Sequence, residues 1–189
     1  MKYYKLLADM ERENDIVCHY ENDYGIQQNA LNSGKLFERW DDSFEFFYRK
    51  EEGDIWTDYL ANDKGWFLVS NKLKKLLELV NTDIQFFQTK IREKNNEDVV
   101  NEYYIANIVK VVDALCLGKS QYFETEIKGI GIIYTVSKYG IYAEKTEGAD
   151  VFKLANRQQI PIFVSERFKN MIEEENITGI SLVEINVEE

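Results

Sequence analysis

The chain has 189 residues, 44% of them apolar and 14% aromatic, which is enough to bury the core of one domain and too much for disorder. Its formal charge of −11 argues against electrostatic attraction to nucleic acid or anionic membranes and favours basic partners. A single proline, Pro161, and no Ser/Gly/Pro-rich linker leave residues 1–189 as one domain.

In chain order, the opening MKYYKLL reads as a strand on a sheet edge. Asp9 and Glu11 follow it too soon for a secretory leader. No apolar run approaches the roughly 18 residues that span a bilayer. From about Asp9 to Asp63 periodicity is poor, with short apolar pieces such as Ile16–Cys18 and Phe44–Tyr48 among turn residues. Trp66–Val69 is a short apolar strand. Ser70 after it is a good N-cap for a helix carrying Leu73, Leu76, Leu77 and Val80 and ending near Asn81. Ile84 and Phe86 open a further strand.

Val100, Tyr104, Ile108, Val111 and Leu115 form one stripe at helical spacing, which predicts a long helix from about Asp98 to Leu117. Glu97 and Asp98 suit its positive end, and Gly118 suits its C-cap. Beyond it, Tyr122–Ile127, Ile130–Val136 and Ile141–Ala143, separated by Lys128-Gly129 and Tyr139-Gly140, predict an antiparallel meander. The segment Ile162-Phe163-Val164-Ser165 then echoes Phe67-Leu68-Val69-Ser70. Phe168, Met171 and Ile172 echo Leu73, Leu76 and Leu77, and Ile180 and Leu182 echo Ile84 and Phe86. The predicted fold is α+β, with a mostly antiparallel sheet, one long helix and two short strand–helix–strand units, paired by duplication or by common structural use.

Catalytic motifs are scarce. His19 is the only histidine, which removes every two-histidine metal motif. No GxSxG elbow surrounds any serine, and Cys18 and His19 on one strand would face opposite ways. Ser70 and Ser165 read as caps. Gly129-Ile130-Gly131 lacks the third glycine and the strand-then-helix context of a dinucleotide site. Cys18 and Cys116 read as free thiols of a reducing compartment, so the cytoplasm is the expected location. Abundant carboxylates allow a catalytic pair in principle, but the sequence selects none, and no EF-hand spacing occurs. No catalytic residue, cofactor or metal is assigned.

One segment stands apart. From Glu38 to Asp63, nine acidic residues face three basic ones, a local net of −6, with Trp40, Phe44, Phe46, Phe47, Tyr48, Trp56 and Tyr59 interleaved. Tryptophan and tyrosine anchor interfaces, while charge steers a partner. The candidate partner-binding residues are therefore Trp40, Asp41, Asp42, Glu51, Glu52, Asp54, Trp56 and Asp58. The plain alternative is a solvated loop whose aromatics face the core.

Several runs in order resemble a family of immunity proteins from bacterial polymorphic toxin systems. They are Thr57–Leu60, Gly65–Ser70, Tyr103–Asn107 with Val112–Leu115, Asp150–Leu154, Ile162–Glu166 and Ile177–Ile180. MKYYKL is also typical, and Cys116 stands where the family usually has an acid. The resemblance implies a non-catalytic protein that binds and neutralises a cognate toxin. A basic toxin such as a nuclease would suit the acidity, and the family supplies no catalytic residue to carry over. Two other classes are weighed beside it: a small-molecule enzyme using a carboxylate pair, and a regulatory module with another partner. A deep pocket holding such a pair would favour the enzyme.

Overall fold

The computed structural model describes residues 1–96 and 99–188. In chain order its elements are β1 (Tyr3–Ala8), β2 (Val17–Cys18), β3 (Glu45–Tyr48), β4 (Tyr59–Asn62), β5 (Leu68–Ser70), α1 (Asn71–Leu77), β6 (Ile84–Glu93), β7 (Val99–Ile108), β8 (Val111–Val112), β9 (Gln121–Ile127), β10 (Gly131–Lys138), β11 (Gly140–Tyr142), β12 (Val151–Leu154), β13 (Ile162–Ser165), α2 (Glu166–Glu174), β14 (Ile180–Glu184) and β15 (Asn186–Glu188). The class is α+β and mostly sheet, with two α-helices among the described residues. One sheet has six strands in the order β2-β4-β5-β7-β6-β3, and another has five in the order β14-β1-β13-β12-β8.

Alternation along the strands builds a layered core. On β7, Tyr104, Ala106 and Ile108 face a central core, while Tyr103 and Ile105 face a second one. On β13, Ile162 and Val164 face the same central core, and Phe163 faces a third. Both large sheets thus turn one face to the central layer. The helices fill it with Leu73, Leu76 and Leu77 from α1 and Phe168 and Ile172 from α2.

Three expectations are corrected. The long helix from Asp98 to Leu117 is instead strand: β7, then β8, then a short 3-10 turn at Leu117–Lys119. Spacing by four residues satisfies a period of 2 as well as one of 3.6, and β7 is apolar on both faces because both are covered. Glu97 and Asp98, expected to start that helix, lie outside the described residues. The opening strand is not an edge, since β1 lies between β13 and β14. The meander stops at β10, because β11 pairs in parallel with the C-terminal β15.

Strand pairing relates two units residue by residue. β4 and β5 pair Tyr59 with Val69, as β12 and β13 pair Val151 with Val164. Ser70 lies opposite Tyr103 on β7, and Ser165 opposite Tyr3 on β1. β2 runs parallel to β4 as β8 does to β12. The order β2-β4-β5-β7-β6 therefore recurs, with the same directions, as β8-β12-β13-β1-β14. Tyr3-Tyr4 takes the place of Tyr103-Tyr104, so the N-terminal strand completes the C-terminal unit.

A reciprocal clasp joins the units. The Ser70 hydroxyl accepts from Leu73 N and donates to Asp58 Oδ1 at 2.6 Å. The Ser165 hydroxyl accepts from Phe168 N and donates to Asp150 Oδ1 at 2.7 Å. The other oxygen of each aspartate reaches across. Asp58 Oδ2 accepts from Thr178 N, beyond α2, and Asp150 Oδ2 from Asn81 N, beyond α1. Residues 19–58 and 113–150 are insertions of nearly equal length at the same point of the two units, between β2 and β4 and between β8 and β12.

Candidate functional site

The first insertion holds the acidic, aromatic segment. β3, the edge strand beside β6, buries Phe46, and Phe44 just before it packs 5.1 Å from Trp66. Trp40 stacks on Phe87 at 5.0 Å, and Trp56 meets Tyr48 edge-on at 5.2 Å. Both tryptophans are half-buried against the second core, so their rings hold the loops from beneath. The Trp40 indole nitrogen is buried without a hydrogen-bond partner.

The carboxylates fall into two groups. Asp41 and Asp42 are exposed before β3, where Asp41 Oδ1 accepts from Ser43 N at 2.8 Å and closes a turn. Glu51, Glu52 and Asp54 are exposed beyond its other end. Four strand residues at roughly 3.3 Å each separate the groups by more than about 13 Å. The second group gains neighbours that composition did not reveal. Asp54 N and Ile55 N both donate to Asn14 O, which brings the segment with Glu11, Glu13 and Asp15 alongside. Burial holds the Asp15 carboxyl above its ordinary value.

His19 lies between Glu52 of the second group and Asp63, the last acid of the segment, with Nε2 at 2.7 Å from Glu52 and Nδ1 at 2.9 Å from Asp63. Hydrogen bonds from His19 and then Arg49 hold the Glu52 carboxyl below its ordinary value. The isolated bridge between His19 and Phe47 positions this cluster beside the end of β3. Asp58 does not join either group. It belongs to the clasp, with both oxygens engaged by Ser70 and Thr178.

The chemistry of the remaining candidates is restrained. An open cleft of about 550 Å³ lies beside the clasp, lined by Asp58, Ser70, Lys72, Lys75, Tyr103 and others. There Asp58 is already satisfied and the Lys72 amine donates to the Glu175 carbonyl. Cys18 and Cys116 are free and buried, and burial pushes the Cys18 thiol up, away from thiolate character. Gly129 and Gly131 shape the turn between β9 and β10, at φ +80° and +94°. Among the described residues no group of three or more His, Cys, Asp or Glu side chains could hold a metal ion. No helix among them is long and apolar enough to cross a membrane.

No curated protein matches the chain. The pattern of one family, described as Immunity protein family (Imm11), matches residues 2–187.

Proposed function

The chain belongs to the Imm11 immunity protein family, and we propose that it neutralises a cognate bacterial toxin by binding it directly, in the cytoplasm and without catalysis. Family membership carries the role of immunity and, in general terms, a toxin partner. The acidic insertion supports the mode: exposed carboxylates Asp41, Asp42, Glu51, Glu52 and Asp54 ride on loops whose aromatic residues are packed beneath them. Such a face steers a basic partner and repels wrong ones. Trp40 and Trp56 set the shape of this face, and Asp58 holds its end to the clasp.

The test is binding kinetics against a toxin that the protein captures in a pull-down with the product of its neighbouring gene, at two salt concentrations. Replacing Asp41 and Asp42 by Asn and Glu51 and Glu52 by Gln should slow association by about 10-fold or more at low salt and flatten its salt dependence. Unchanged kinetics would move the binding face elsewhere and leave these acids a role in solubility alone.

A further inference from the structure

The second insertion holds the hairpin of β9 and β10, which forms a two-stranded sheet by itself. Its base is fixed. Val136 packs on the third core, Ser137 Oγ donates to Gln121 O at 3.1 Å, and Gln158 Nε2 donates to Tyr134 O at 2.8 Å. Residues 123–132 are all exposed. Cross-strand pairs sort the side chains. Phe123 with Thr135, Thr125 with Ile133, and Ile127 with Gly131 share one face, which carries no charge. Phe123 is 74% exposed there and Ile130 is exposed at the turn, while Ile132, paired with Glu126, is exposed on the other face. The opposite face carries Glu124 and Glu126, the only charges within either strand apart from Lys138 at the end.

A two-stranded ribbon is marginal in water, and an exposed apolar face on one marks a binding surface. From this, and resting on the toxin-binding reading above, we propose that the uncharged face of the hairpin, centred on Phe123 and Ile127, docks against an apolar surface of a basic cognate toxin, with Glu124 and Glu126 on the other face of the ribbon adding to its attraction. Charge selects this occupant over a second copy of the chain. Two chains of −11 each would repel, and Glu124 and Glu126 on the other face of the ribbon add like charge to each copy. The toxin surface favoured by the acidic insertion is basic, and the two insertions leave the two units at corresponding points.

The experiment compares intact protein with the Phe123→Ser/Ile127→Ser variant. Affinity for the purified toxin used in the kinetic test above is measured by surface plasmon resonance, and self-association by sedimentation over a range of concentrations. Both residues are solvent-exposed, so circular dichroism and melting temperature should be unchanged. If melting falls, Thr125→Arg, which adds a charge to the same face and removes no packing, replaces it. The expected result is monomeric protein in both cases, with the variant binding the toxin about 30-fold or more weakly, mainly through faster dissociation. Equal affinities would overturn the hairpin proposal and leave toxin binding intact. An intact protein that does not bind the toxin would overturn both. A dimer of the intact protein that the substitution dissolves would assign the face to a second copy instead.

Discussion

Lys153 offers a measurable consequence of how the two units fit. It lies on β12 with 2% of its surface exposed, and its amine donates to Asn32 O at 3.0 Å and Gln159 O at 2.7 Å. It thereby ties the first insertion to the β12–β13 connection. Burial pulls the amine down to about 8 from its ordinary 10.5. The unfolded chain keeps this proton up to 10.5, whereas the folded chain sheds it from about 8. Between those values the unfolded state binds more protons, so stability rises with pH. The full effect is about 3 kcal/mol, withheld from the folded state at neutral pH and recovered across that window. Between pH 7 and 9 the recovery is about 1.4 kcal/mol. Cys18 and Tyr59, both pushed up by burial, act oppositely once their unfolded counterparts ionise near 9 and near 10, and because a Lys153→Met variant carries them too, comparison with it cancels their effect. Lys153→Met removes the amine and leaves two carbonyls without their donor, a loss of about 1–3 kcal/mol that partly offsets the gain at pH 7. The slope is therefore the test. Urea denaturation of both proteins at pH 7, 8 and 9 should show the stability difference moving by about 1.4 kcal/mol in favour of the native lysine. A difference independent of pH would refute the argument.

Two further predictions concern the clasp and the close approach of Gly179 to Thr57 and Tyr59. Ser70→Ala and Ser165→Ala each remove a helix cap and a hydrogen bond to a carboxylate, so each should lower unfolding stability by about 2–3 kcal/mol in urea titrations; losses under about 0.5 kcal/mol would mean the clasp contributes little. Gly179→Ala should cost about 2–4 kcal/mol, because at φ +79° a Cβ would stand 2.4 Å from Tyr59 O and 2.6 Å from Thr57 Oγ1. Gly129→Ala, at φ +80° in open space, should lower the melting temperature far less.

What the sequence determined by itself was local. Ser70 and Ser165 are legible as caps because the hydroxyl needs only the backbone N–H three residues on, at Leu73 and Phe168. The hairpin's turn is legible because Gly129 and Gly131 supply positive φ where few other residues can. The α+β class and the acidity of residues 38–63 follow from pattern and composition. Tertiary structure decided whatever depends on a covered second face. β7 reads as a helix because residues such as Tyr104 and Ile108 recur every fourth position, and only two flanking cores turn that pattern into a strand buried on both sides. Asp58 reads as one more surface acid until Thr178, 120 residues away, is brought to its second oxygen. The acids around Glu52 become two separate groups only when β3 is laid between them. Sequence distance carries no information about which faces meet, so the clasp, the divided acidic face and the uncovered hairpin emerge only from packing.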